Sequence, residues 1–162
     1  MKINTLASGS KGNSYYINSG STSILVDAGL SAKQLSLRLQ NMSVDSTGIS
    51  AIFISHEHVD HIGGVRVFAK KMGIPIFMNP MCRAAAELKY KLHEIKDIRL
   101  FNTGDTIDYQ DIRVHALSVS HDTSDPVFFT IDDGKTKAGI VTDLGKMNTL
   151  VATNLKQLDA LV

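Results

Sequence analysis

His56, His58, Asp60 and His61 lie within a single six-residue stretch, His56-Glu57-His58-Val59-Asp60-His61. Three imidazoles and a carboxylate this close together are hard to explain except by metal, and the donor set suits zinc, iron and manganese alike. One histidine alone is more often a surface or core residue. Four ligand-type residues in the pattern H-x-H-x-D-H, followed by Gly63-Gly64, argue against coincidence. Residues two apart on an extended chain point the same way, so His56 and His58 can grip one ion together. Asp60 and His61 follow as the chain turns towards a helix and face another direction. Two neighbouring ions therefore fit the set better than one. Glu57 and Val59 are expected to point away and are assigned no chemistry.

These residues need a scaffold. Gly48-Ile49-Ser50-Ala51-Ile52-Phe53-Ile54-Ser55 reads as a buried strand, rich in β-branched and aromatic residues, that delivers the ligands at its end. Earlier, Ile3 to Leu6 reads as a strand, followed by the small polar turn Ser8-Gly9-Ser10-Lys11-Gly12-Asn13. Tyr15 to Asn18 and Ser23 to Val26 should pair as a hairpin across Ser19-Gly20-Ser21. Ser31 is a credible N-cap for a helix carrying Leu35, Leu37 and Leu39. A helix through Val65, Phe68, Ala69 and Met72 should stop at Gly73. Ile74 to Met78 reads as a strand, and a helix is expected from about Pro80 to Leu92. Five strand-like runs follow, at 98–101, 106–109, 112–117, 127–131 and 138–141. A last helix is expected from about Lys146 to Leu155.

Composition sets broad limits. The chain has 162 residues, 43% hydrophobic and 20% charged, with net charge +1. That is ordinary for one globular domain spanning 1–162 and gives no electrostatic argument for nucleic acid or a membrane surface. No stretch approaches the ~18 apolar residues of a membrane span, and no signal-peptide core follows Met1. The single Cys82 excludes an internal disulfide and fits a reducing compartment, so a cytoplasmic location is expected. Leu158-Asp159-Ala160-Leu161-Val162 looks like the beginning of a buried strand, and the chain is expected to be incomplete there. An uncovered strand edge at that point favours self-association.

A binuclear site needs more ligands than one loop supplies. His121, in Ser120-His121-Asp122, follows the run Val114 to Ser120. Asp143, in Thr142-Asp143-Leu144-Gly145, follows the apolar Gly139-Ile140-Val141. Strand ends can hold ligating side chains firmly towards a cleft. An ordinary loop histidine and a helix N-cap aspartate are the structural alternatives.

With these motifs in place the chain resembles the metallo-β-lactamase superfamily, whose H-x-H-x-D-H signature matches His56, His58, Asp60 and His61. Within it, Ala7-Ser8-Gly9-Ser10-Lys11-Gly12-Asn13, His56 to Gly64, and Ser120-His121-Asp122 resemble the bacterial WalJ (YycJ)-like group. The resemblance implies an α/β (α+β) fold, a four-layered αβ/βα sandwich with its C-terminal part missing. It implies that His56, His58 and His121 hold one divalent ion. Asp60 and His61 would hold a second, with Asp143 bridging; zinc or manganese is expected, iron being possible. Asp27, in Leu25-Val26-Asp27-Ala28-Gly29, would orient a ligand from behind, or simply close a turn. Family members also carry a final histidine for the second ion, and no histidine occurs here after His121.

The activity the resemblance implies is a metal-dependent hydrolase, chiefly a phosphodiesterase or exonuclease acting on DNA through a metal-activated hydroxide that Asp60 helps to orient. A thioester or lactone hydrolase, or a metal-binding domain without turnover, are the competing readings. Lys33, Arg38, Arg66, Lys70 and Lys71 could contact phosphates, though each singly fits a solvated helix face. Asp122 is expected to support His121, while Ser8 and Ser10 sit in a turn that could touch substrate. His93, late in a helix, is read as facing the helix dipole, and His115 as a packed or solvent-facing strand residue.

Overall fold

The computed structural model describes residues 1–162. Strands β1 (Lys2–Ala7), β2 (Ser14–Asn18), β3 (Ser23–Val26), β4 (Ala51–Phe53), β5 (Ile76–Met78) and β6 (Ile98–Leu100) form one sheet in that order. Its first half is an antiparallel meander, and β3 to β6 run parallel. The second sheet runs β11 (Ala160–Leu161), β10 (Lys137–Ile140), β9 (Val127–Asp132), β8 (Ile112–Ser118) and β7 (Thr106–Tyr109). Parallel strands need crossovers. Helices α1 (Ala32–Asn41), the one-turn α2 (Val59–Ile62), α3 (Val65–Met72) and α4 (Pro80–Tyr90) provide them, and α5 (Thr149–Leu155) joins β10 to β11.

Strand periodicity explains the layering. Alternate residues point to opposite faces, so Tyr15, Ile17, Ile24, Val26, Phe53 and Phe77 face the second sheet while Tyr16, Leu25, Ile52 and Met78 face the helices. Between the sheets, Phe53 stacks on Phe77 at 4.4 Å and meets Phe129 edge-on at 5.9 Å. Each such pair contributes about 0.5–1.5 kcal/mol beyond its burial. Leu35, Leu39, Phe68, Cys82 and Ala86 close the outer face of the first sheet. Val151 of α5 packs with Leu117 and Phe128 on the far side of the second. The result is the four-layered αβ/βα order that the resemblance implies.

The local differences from sequence have simple causes. The strand expected over 48–55 is shorter, Ala51–Phe53: Gly48 belongs to a 3-10 turn capped by Asp45, although Ser50 N and Ile54 N still donate to Ser23 O and Phe77 O. Leu37 is 45% exposed, since Leu35 and Leu39 share one helix face and a residue midway between them does not. The fourth helix ends at Tyr90, where Lys91 turns left-handed at φ 53°. His93 therefore lies beyond the helix in a 3-10 turn, 3.5 Å from Glu87, rather than at the helix end. The last helix starts at Thr149, capped by Asn148. At the margin of the second sheet, β11 pairs parallel to β10 and leaves Leu161 and Val162 exposed.

Two glycines bring backbone onto backbone beneath the ligand-bearing loop. A Cβ on Gly29 would fall 1.6 Å from the Asp60 carbonyl oxygen, and one on Gly64 would fall 1.8 Å from that of Leu30. Gly64→Ala is therefore expected to destabilise the chain by ~3 kcal/mol, the upper end for overpacking. Gly73→Ala, which meets open space but keeps φ 67°, should cost only ~1–2 kcal/mol. Urea unfolding of the two variants checks the order; equal effects would refute the close approach.

Candidate metal centre

The segments that carry the ligand-type residues leave both sheets on the same side. Asp27 follows β3, Ser55 and His56 follow β4, His121 follows β8 and Asp143 follows β10. Main-chain bonds hold these ends together. Asp27 N donates to Phe53 O (2.8 Å), Ala28 N to His61 O (2.7 Å), Asn13 N to Asp60 O (2.6 Å) and Gly145 N to Ser120 O (2.8 Å). Val127 N donates to Ser55 O (3.1 Å), tying the second sheet to the first.

Two groups of donors result. The ring nitrogens of His56, His58 and His121 lie within 4.8 Å of one another, as do donor atoms of His56, His61 and Asp143. His121 Nε2 is 3.3 Å from His58 Nδ1. Asp143 Oδ2 is 2.7 Å from His61 Nε2 and 3.4 Å from His56 Nε2. Asp60 Oδ2 is somewhat further, 3.6 Å from His61 Nε2. Asp143 sits in the left-handed region at φ 49°, a conformation that costs free energy for a residue with a Cβ.

Behind this cluster lies a fully buried carboxylate. Asp27 Oδ1 accepts from Ser55 N (2.8 Å), and Oδ2 accepts from Ser55 Oγ (2.8 Å) and from His61 Nδ1 (2.7 Å). A His61 proton is thereby held at Nδ1, while Nε2 faces Asp143 Oδ2 at 2.7 Å and Asn13 Nδ2 at 2.9 Å. Burial disfavours the charged form of His61, but the hydrogen bond and charge of Asp27, with Asp143 and Asp60, outweigh it and raise the pKa. Burial and the neighbouring His61 instead push His56 down to about 4, so its imidazole is neutral and able to ligate.

Three residues that sequence reasoning passed over do structural work here. Asn13 Oδ1 accepts from Gly9 N (2.9 Å), which orients the amide so that Nδ2 donates to Asp60 Oδ2 (3.0 Å); Nδ2 also lies 2.9 Å from His61 Nε2. Glu57, expected to point away, accepts at Oε1 from Ser124 N (2.9 Å) and Ser124 Oγ (2.8 Å), and so pins the loop that carries His121. Ser55 is the third. Position was the only signal for each: next to a ligand, or closing a Gly/Ser turn.

Asp122 Oδ1 lies 3.1 Å from His121 Nδ1 but is largely exposed. An open cleft beside Asp60 and Asp143 is lined by Ser8, Ser10, Asn13 and Tyr15. Several of the basic residues are already engaged: Arg66 and Lys70 pair with Glu94 at 2.8 and 2.6 Å, and Arg38 donates to Leu6 O. Cys82 is buried and its thiol is pushed up by that burial, so it is inert.

Whether the cluster suits a metal can be judged from its donors. His56 Nε2 is buried and has no hydrogen-bond partner, despite Asp143 being 3.4 Å away. A buried polar atom left unpaired is costly, and this one is aimed at the nitrogen and oxygen donors of both groups. An imidazole-carboxylate set converging on an unpaired nitrogen fits a divalent transition-metal ion.

Comparison with known proteins gives a consistent result. A family model described as "Metallo-beta-lactamase superfamily" matches residues 7–155. Exodeoxyribonuclease YycJ of Bacillus anthracis is 32% identical over 167 residues, covering all of this chain and 61% of that protein. Exodeoxyribonuclease WalJ of Streptococcus pneumoniae serotype 2 is 34% identical, covering 98% of this chain and 60% of its own. The chain thus spans about three-fifths of the length of these relatives. Among solved structures, the metallo-beta-lactamase fold protein YhfI from Bacillus subtilis matches with a TM-score of 0.78 at 22% identity, over 98% of this chain and 68% of that one. Zn(2+)-bound PqqB from Methylobacterium extorquens matches with a TM-score of 0.75 at 14% identity, over 92% and 58%. These two establish the fold alone.

The Asp27 network yields a stability prediction. Asp27→Asn places an amide N–H where only acceptors are tolerated, beside Ser55 and His61. It should cost on the order of 3 kcal/mol, as for other broken buried charge pairs. An unchanged urea midpoint for Asp27→Asn would show that the network does not support the native state.

Proposed function

The chain belongs to the metallo-beta-lactamase superfamily, and from that premise we propose that it is a metal-dependent phosphodiesterase acting on DNA as an exonuclease. The observation that carries the reading is the pair of donor groups converging on the unpaired His56 Nε2. The exodeoxyribonuclease relatives, aligned along the whole chain, supply the substrate class.

In this reading His56, His58 and His121 would hold one divalent ion, and Asp60 and His61 a second. Asp143, whose Oδ2 already lies near both His56 and His61, would stand between the two. Zinc or manganese suits these donors. Bound there, such ions would supply a water of lowered pKa and polarisation of a phosphoryl oxygen.

The protein's own groups do the rest. Asp60, steadied by Asn13 Nδ2 at 3.0 Å, would orient the attacking hydroxide. Ser8, Ser10 and Tyr15 offer hydroxyl groups along the neighbouring cleft, where a phosphate oxygen can be hydrogen-bonded. Burial pushes the Tyr15 phenol up against the opposing Ser8 hydrogen bond, and Asp27 and Asp143 add to the rise, so this hydroxyl stays protonated and able to donate. No helix is long and apolar enough to cross a membrane.

The test is hydrolysis of end-labelled DNA by the chain supplied with manganese or zinc, beside a panel of thioesters and lactones. Nucleotide release that a chelator abolishes is expected, with no turnover of the panel. His58→Ala should lower the rate at least ~100-fold, since even partners behind ligands cost 10–100-fold. Binding to DNA should weaken steeply with salt. Thioester or lactone hydrolysis without DNA cleavage would overturn the reading.

A further inference from the structure

We propose that Ser55 is a positioning residue, through which the buried Asp27 carboxylate, in direct contact with His61, also sets the tautomer of His56. Ser55 Oγ lies 2.8 Å from Asp27 Oδ2 and 2.9 Å from His56 Nδ1, with His61 Nδ1 a longer 3.4 Å away. The residue is 1% exposed, so water does not compete for these contacts.

The direction of each bond follows from counting protons. An ionised carboxylate only accepts, and a serine hydroxyl has one proton to give. Facing Asp27, Ser55 must donate that proton to Oδ2. Its remaining lone pairs then face His56 Nδ1, so His56 must donate there and carry its proton on Nδ1. The opposite tautomer would set two lone pairs against each other at 2.9 Å in a site without solvent.

With Nδ1 protonated, His56 Nε2 is bare, and this is the buried atom that has no partner. His61, protonated at Nδ1 by direct contact with Asp27, turns its Nε2 towards Asn13 Nδ2 at 2.9 Å and Asp143 Oδ2 at 2.7 Å. One carboxylate thus prepares two imidazoles as ligands, one directly and one across a hydroxyl. The Ser55 hydroxyl is not needed to hold the strand end. Its backbone N–H already reaches Asp27 Oδ1 at 2.8 Å, and its carbonyl accepts from Val127 N at 3.1 Å.

Only the zinc arm of the test rests on the metal reading above. Long-range proton–nitrogen spectra of the metal-free, 15N-labelled chain at mildly alkaline pH should show His56 protonated at Nδ1 in the wild type and in Ser55→Thr. Ser55→Ala should show a mixture with the Nε2 tautomer. Titration with zinc should find Ser55→Ala weaker by ~10–100-fold, the usual effect of losing a partner behind a ligand, and Ser55→Thr restored. Wild-type His56 protonated at Nε2 would overturn the proposal, even if Ser55→Ala does not fold. So would Ser55→Ala with both tautomer and zinc affinity unchanged. If no variant binds zinc the metal reading fails, and the tautomers still decide the role of Ser55.

Discussion

A carboxylate with no access to solvent holds the candidate site together. Asp27 sits at 0% exposure, where an uncompensated charge would be prohibitive. Its compensation is complete: a backbone N–H, a hydroxyl and an imidazole, all within 2.8 Å. Because all three partners come from 55–61, the bonds that neutralise Asp27 also fix where the β4 segment ends and how its histidines are turned. Asp27 itself adopts φ 59°, so the backbone accepts a conformational cost in order to aim the carboxylate inward. Such strain persists only where the surroundings over-determine it, as they do here.

The rest of the architecture brings five chain segments to that point. Parallel pairing of β3 and β4 places Asp27 beside Ser55, and the parallel relation of β8 to β10 across β9 places His121 near Asp143. The aromatic layer around Phe53, Phe77 and Phe129 fixes the spacing of the two sheets, and with it the distance between donors from one sheet and donors from the other. Close approach at Gly29 and Gly64 lets the β3 and α2 segments share backbone hydrogen bonds. Side chains then add fine control: Asn13 on Asp60, and Glu57 on the loop that follows His121. Positioning of this kind, rather than the presence of ligand types alone, separates a metal site from a cluster of histidines.

Much of this could be read from the sequence, and unevenly so. The strands β2, β3 and β9 are short runs buried almost throughout, and β7 and the start of β8 alternate in exposure, so these were legible. The hydrophobic run before His56 likewise had to be buried. Helix ends were legible where a residue has a mechanism, as with Ser31 and Gly73, and illegible at Tyr90, where Lys91 adopts a left-handed turn with no sequence mark. The ligand-type residues are visible because imidazole and carboxylate at short spacing have few other uses. Asp27 itself stood out only as a residue at a strand end, and the role of orienting a ligand came to it through the family resemblance alone. Asn13, Ser55 and Glu57 did not stand out, since their roles depend on partners 47, 28 and 67 residues away, and nothing local in an asparagine, serine or glutamate announces such a partner.

The central claim is that Asp27, which would touch no ion, nevertheless decides whether the histidines can hold one. Metal content per chain, measured by elemental mass spectrometry on protein purified without chelator, tests it most directly when wild type is compared with folded Asp27→Asn. Transition metal in the wild type and its loss in Asp27→Asn is the predicted result. Equal metal in the two proteins, or none in the wild type, would contradict the account.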